Sequence, residues 1–473
     1  MTTPSRSSLF RAAVVLAASS LLMLTAATSA GAAEGDADLP EVATNPNNGD
    51  VTFVWKRRDG SANGGKDIIQ GRRRLANGTL GGVFDISAAG QNADVPQVVV
   101  DPNGKATFVW LRFDGSDTEG DTTCCWIVQG RARAPDGTLG AVFNLSTPGQ
   151  NAGSAGPPRL AVAPDGTVTF VWQSGSTPPV IHARRRTSGG TLGSIFTVAP
   201  SPTGGGAYAF APELAVAPDG AVTFAWGKAV GGPPTTFQGR RRLSDGTMGG
   251  VFDVSPAASF PGGLHVAVDS NGKATFIWHR EVSGSQRVEG RARAADASIS
   301  PVFDVSSSGG TSPQLSVAPD GKVTFIWSNQ SGSTNIILGR ARTAGGFMGG
   351  IFDVSTSADT SSGPSHSNPQ VAVAPNDGKA TFVWDNAGDG IGNTPVKGRA
   401  RLGSSVSPIF DVSQTSGAHF ASQLAVAPDG KVTFVFKTAI NGAGSQIQGR
   451  ARLSDGTMGG IFDISQLPPS GST

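Results

Sequence analysis

Tyrosine occurs once in these 473 residues, cysteine twice and histidine five times. The cysteines, Cys124 and Cys125, are adjacent, so no long loop is stapled. Neighbouring Cα atoms lie about 3.8 Å apart, below the usual separation of bridged cysteines, which leaves a strained vicinal disulfide, a free pair or an intermolecular link. The histidines, His182, His265, His279, His366 and His419, are scattered without HExxH or other metal spacing. Nucleophile elbow, Walker loop and CxxC are also missing. Charged residues are only 15% of the chain, and 37 basic against 35 acidic residues leave +2, which argues against a dedicated nucleic-acid binder. What the chain has in quantity is Gly (66) and Pro (31), a composition that excludes long helices.

The first 33 residues read as a secretory signal peptide: Arg6 and Arg11, an apolar run from about Ala12 to Ala27, then small residues through Ala33. The run is too short and too rich in Ala and Ser to favour spanning a bilayer, and no second one follows. The expected product is secreted, extracellular and free of any lipid anchor, since no Cys stands near the cleavage site. Export favours oxidation, which ranks the vicinal disulfide first.

The rest of the chain is repetitive. Trp55, Trp110, Trp172, Trp226, Trp278, Trp327 and Trp384 each end a V-T-F-V-W-like run, with Phe436 in the eighth place. Each unit carries four short alternating segments, and a Pro-Asp-Gly turn such as Pro164-Asp165-Gly166 or Pro428-Asp429-Gly430 separates the first two. Alternation over five or six residues with Asp-Gly between runs means hairpins. Four antiparallel strands repeated eight times predict an all-β, eight-bladed β-propeller over residues 34–466. The repeats span about 40–88, 89–147, 148–200, 201–256, 257–307, 308–356, 357–414 and 415–466, and a tail covers 467–473.

Leu-Ala-Val-Ala-Pro-Asp-Gly before Val-Thr-Phe-Val-Trp, with Ser244-Asp245-Gly246-Thr247-Met248 and Ser454-Asp455-Gly456-Thr457-Met458, resembles the Asp-box (BNR, sialidase-like) propellers. The Asp box is contracted and lacks its closing aromatic. The resemblance implies the fold. It does not carry over the activity, because the Tyr nucleophile, Glu and Arg triad of sialidases have no counterpart beyond the lone Tyr208, placed in an inter-blade loop, and the repeated arginines.

Loop lengths separate scaffold from candidate site. From the first Arg of strand three to the Phe of strand four the gap is 12 residues in seven repeats and 11 in Arg399 to Phe410, whereas from the marker Trp to that Arg it ranges from 12 to 21. In an antiparallel blade both variable loops fall at one end and both uniform turns at the other, and ligands favour variable loops on a rigid scaffold.

Two arginines recur on every third strand: Arg72/Arg74, Arg131/Arg133, Arg184/Arg186, Arg240/Arg242, Arg291/Arg293, Arg340/Arg342, Arg399/Arg401 and Arg450/Arg452. Spacing of two places each pair on one strand face. A basic ring for a sulfated polymer is one reading. Recurrence in every blade favours scaffold, with the arginines pairing to the strand-four acids (Asp85, Asp253, Asp304, Asp353, Asp411, Asp463) and stacking on aromatics. The Gly or Ala before the first Arg leaves space for a neighbouring Trp.

Candidate binding residues on the variable side are Phe113, Trp126, Tyr208, His279, Arg280, Glu281 and Phe420, with His279-Arg280-Glu281 the best acid/base cluster by composition. Asp114, Asp117, Glu119 and Asp121 could supply oxygen ligands to calcium, with a weaker echo at Asp385 to Asp389, although a solvated acidic turn explains them as well. No other cofactor is expected. The residues point to a monomeric, non-enzymatic binding module for a glycan or an extracellular protein, without nucleic acid or membrane span. The alternatives are a glycoside hydrolase or lyase at the central mouth and a structural envelope repeat protein.

Overall fold

A computed structural model describes residues 36–466 except 59–64, 114–125, 149–150, 153–155, 176–178, 200–206, 231–234, 259–260, 332–333, 357–365, 387–392 and 441–443. The expected signal segment, the tail, Asp114, Asp117, Glu119, Asp121, Cys124 and Cys125 lie outside the described residues.

The described chain is all strand: eight antiparallel sheets, each drawn from one stretch of sequence. Blade one is Ala37–Thr44, Val51–Arg58, Asp67–Arg74 and Leu80–Asp85, in that spatial order. Blade seven alone has a fifth piece, Ser405–Val406, because its shortened turn closes with Leu402 directly opposite Ser405. First strands of adjacent blades touch all the way round, so they line the axis and the fourth strands form the periphery. This is an eight-bladed β-propeller.

The core consists of eight clusters, one at each blade junction, and each centres on a marker aromatic with almost no exposure, such as Trp110 between blades one and two. On strand two the residue before the marker, Val54 for example, packs toward the following blade while Phe53 and Trp55 pack toward the preceding one. Fully burying such side chains removes them from water at both faces of the sheet, and deleting one costs about 3–5 kcal/mol.

The arginine rows hold blades together. The first Arg donates to main-chain carbonyls: in blade two, Arg131 Nε to Gly140 (2.7 Å) and Nη1 to Asp85 (3.2 Å) and Ile86 (3.1 Å) of blade one. Its second Arg, Arg133, stacks 4.5 Å above Phe84 of blade one. The equivalent stacking recurs in all eight blades. The expected stacking on aromatics is therefore present, but the expected Arg–Asp pairs are replaced. The strand-four acids turn to strand three, as with Gln70 Nε2 to Asp85 (2.8 Å) and Lys397 Nζ to Asp411 (2.6 Å). The guanidinium geometry explains the change, because its donors reach the neighbour's carbonyls across the junction, where part-buried acceptors such as that of Ile86 need partners.

Two glycines answer to this packing. A Cβ on Gly130 would fall 2.5 Å from the Phe143 ring, so the residue before the first Arg makes room for the blade's own strand-four Phe and not for a Trp. Gly137 has φ +98°, and a Cβ there would meet the Arg133 guanidinium at 2.8 Å.

The ring closes without strand exchange: blade one uses only the N-terminal strands and blade eight only the C-terminal ones. Arg72 donates to the carbonyl of Asp463 (3.0 Å), Arg74 lies 4.6 Å above Phe462, and Ser445 donates to the carbonyl of Ala37 (2.6 Å). The closing junction thus uses the same side chains as the others.

Candidate functional site at the axial mouth

Aligned on the axis, the eight first strands share one polar position in otherwise apolar segments: Glu41, Gln97, Arg159, Glu213, His265, Gln314, Gln370 and Gln423. Ala43, Val99, Ala161, Ala215, Ala267, Ser316, Ala372 and Ala425, two residues on, are small, as eight converging strands require. The polar position forms a belt around the axis. Gln97 Nε2 donates to Glu41 (3.0 Å), Arg159 donates to Gln97 Oε1 (3.5 Å) and pairs with Glu213 (3.1 Å). Glu213 then lies 3.9 Å from His265, whose other ring nitrogen is 3.2 Å from Gln314 Nε2. One chain of contacts runs through six consecutive blades.

A β-bulge precedes the belt residue in seven blades, for instance between Asp38 and Glu41 and between Phe420 and Gln423. The bulged residues Leu39, Val95, Ala211, Gly263, Ser312, Asn368 and Ala421 have φ between 46° and 61°. Bulges re-aim side chains, and left-handed backbone at non-glycine residues costs on the order of 1 kcal/mol or more, so repeated use marks a built feature. Blade three departs: Pro157 and Pro158 precede Arg159, and proline cannot take positive φ. Its described first strand starts at Arg159, which spans to both neighbours by length alone.

The bulge N–H groups also need partners. Asp38 and Asp94 accept from the next residue in their own blades (2.8 Å each). Blade eight has Phe420 there, and Asp385 of blade seven supplies the acceptor, taking the N–H of Ala421 (2.9 Å) and Ser422 (3.1 Å) as well as the Asn368 amide (3.2 Å). Burial pushes the Asp385 carboxyl up to about 6 against these bonds. Its commitment to the bulge accounts for the acid that opened the blade-seven echo; Asp389 lies outside the described residues.

Electrostatically the belt is self-matched. Burial pushes the Glu41 carboxyl up to about 7, against the pull of Arg159 and the Gln97 amide. Burial also lowers His265, with Glu213 opposing, and drives His279 down to about 4 with help from His265. Both imidazoles are therefore neutral near pH 7.

The residues expected to bind are spread over four blades. Phe113 and Trp126 stand opposite one another at the ends of their strands with rings edge-on at 5.7 Å. Tyr208 sits in the strand Ala207–Val216, not in a loop, its ring 5.6 Å from that of Phe210. The His279-Arg280-Glu281 cluster does not form: His279 lies against the bulge at Gly263, Arg280 makes a two-point pair with buried Glu289 (2.7 and 2.8 Å), and Glu281 is exposed. Alternation along the strand sends Arg280 to the opposite face from its neighbours. Phe420 lies at the mouth beneath Lys437, 5.1 Å away. The belt itself was missed by sorting on loop length; comparing the repeats column by column exposes it.

No family model matches the chain, and no curated protein does. Its likenesses are among solved structures. They include the Dos1 propeller (11% identity, 85% of this chain and 90% of that one, TM-score 0.49) and the leech intramolecular trans-sialidase complexed with 2,7-anhydro-Neu5Ac (11%, 86% and 89%, 0.40). The ulvan lyase of a polysaccharide lyase family is a third (8%, 80% and 94%, 0.44).

Proposed function

We propose that this protein is a secreted, non-enzymatic binding module that takes a glycan at the axial mouth on the variable rim. The observation that carries the reading is the belt: eight inward polar residues, seven of them re-aimed by bulges, beside the loops that differ between blades. Amide, carboxyl and imidazole groups on a rigid ring suit hydroxyl recognition, and such a site needs little rearrangement. The acids of the belt are engaged with Gln97, Arg159 and His265, which supports binding over hydrolysis.

A glycan array probed with the full-length protein tests this, alongside a panel of chromogenic glycosides. Binding without turnover is expected. Turnover abolished by Glu213→Gln would overturn the non-enzymatic reading, and a blank array would overturn the glycan. An EDTA arm reports on calcium at Asp114, Asp117, Glu119 and Asp121: signals lost with EDTA and restored by calcium place the metal in the site.

A further inference from the structure

We infer that the arc of the mouth formed by blades seven, eight and one is a subsite for neutral, hydroxyl-rich sugars and discriminates against carboxylated or sulfated ones. This rests on the axial reading above and gives it a ligand class.

The belt is not uniformly occupied by its own contacts. From Glu41 through Gln314 each member is linked to a neighbour. The Gln423 side chain makes no hydrogen bond among the described residues, its backbone being paired with Val435 in the sheet, and Gln370 uses its amide nitrogen on Asn368 (3.1 Å). The arc therefore offers an entire carboxamide from Gln423 and the oxygen of Gln370, next to the Glu41 carboxyl. A carboxamide presents a donor pair and an acceptor side by side, which matches a pair of sugar hydroxyls, each of which both gives and takes a hydrogen bond. Half-buried Phe420 at the same arc gives an apolar wall for sugar C–H groups.

The cations that touch the belt or the bulges are already matched. Arg159 pairs with Glu213 (3.1 Å), Lys56 with Asp94 (3.0 Å), and Lys437 with Asp38 (3.2 Å). A carboxylate or sulfate at this arc gains no free positive partner among the described residues. It must either break one of these pairs, leaving a partly buried acid uncompensated, or accept desolvation without a counter-charge. A neutral diol meets neither cost.

The test is titration of the full-length protein with neutral oligosaccharides and with uronate-containing, sialylated and sulfated ones, at low and high salt, for wild type, Gln423→Ala and Gln370→Ala. Neither glutamine bridges to another blade's belt residue in the structure, so melting temperatures should stay at the wild-type value and report folding independently. Neutral sugars should bind with an affinity that salt barely changes, and each substitution should weaken binding about tenfold, the loss of one or two neutral hydrogen bonds. Preference for anionic sugars with steep salt dependence would overturn the neutral class while leaving a glycan site in place. Neutral binding untouched by both substitutions would overturn the location. Silence across both classes would overturn the glycan reading itself.

Discussion

At the uniform rim, strand-end cations clamp one blade to the next; at the axial mouth, the polar groups face inward and part of their capacity is unspent. Arg73 donates to the carbonyl of Pro135, Lys105 to Ser188, Arg185 to Ser244 (3.4 Å), Arg241 to Ala295 (3.1 Å), Lys273 to Ala344 (2.8 Å), Lys379 to Ser454 (2.7 Å) and Lys431 to Ala76. Seven of eight junctions are closed in this way, including the one that joins the chain ends. Even the hollows there, about 240 Å³ between blades five and six and about 330 Å³ on blade five, are lined by the clamp residue Lys273. The lesson is that equal repetition serves opposite purposes. Repeating a cation, Arg or Lys, tightens one end, whereas repeating only polarity, with Glu, Gln, Arg and His exchanged freely, leaves the other end able to differ blade by blade.

The contrast is most severely tested by pH. Glu41 has its carboxyl pushed up to about 7 by burial, from 4.5. Between those values the folded protein holds a proton that the unfolded chain has released, so stability falls as pH rises from 4.5 to 7 and is flat above. The shift corresponds to a loss on the order of 3 kcal/mol. Glu41→Gln keeps the acceptor for Gln97 and cannot ionise. The variant should match wild type near pH 4 and exceed it at pH 8 in denaturant titrations. Equal pH profiles would show that the mouth tolerates ionised Glu41 and is wetter than its packing implies.

The uniform scaffold answers differently. Arg291 donates to the carbonyls of Ser300 (2.8 Å) and, across the junction, Asp253 (3.0 Å). Arg291→Met strips a cation from two carbonyl acceptors, one of them part-buried, and should cost about 2 kcal/mol, with no effect on sugar binding. A fall in binding without a fall in melting temperature would return the arginine rows to the ligand.

Blade number, strand order and the split between rims were legible from the repeated Trp, the Pro-Asp-Gly turns and the loop lengths, because these are local and recur. The partners of the arginines were not. Choosing between Asp463 carboxylate and Asp463 carbonyl for Arg72 depends on how two blades lie against each other, and no single repeat encodes that. The belt was present in the sequence as one polar column, but its meaning came from the bulges, which put left-handed backbone at Leu39, Val95 and Ala211, residues whose chemistry gives no warning of it.

The smallest effect separates the junctions of the uniform rim from one another. Lys322 occupies the same place after its Asp-Gly turn as Lys273 does after Asn-Gly, yet it makes no clamp among the described residues. The reason lies across the junction: blade seven closes strands three and four with the two-residue turn Gly403-Ser404, one residue shorter than elsewhere, so the carbonyl that receives the cation in other blades is withdrawn. Lys273→Met should therefore lower stability by more than about 1 kcal/mol, because it removes both the clamp and the 3.2 Å pair with buried Asp269, while Lys322→Met should leave it unchanged. Inserting one residue after Gly403 to restore the common turn length should then make Lys322→Met destabilising in its turn. If the two lysine variants melt alike in the wild-type background, the clamps are incidental surface contacts, and the rigidity of that rim comes from the arginine rows alone.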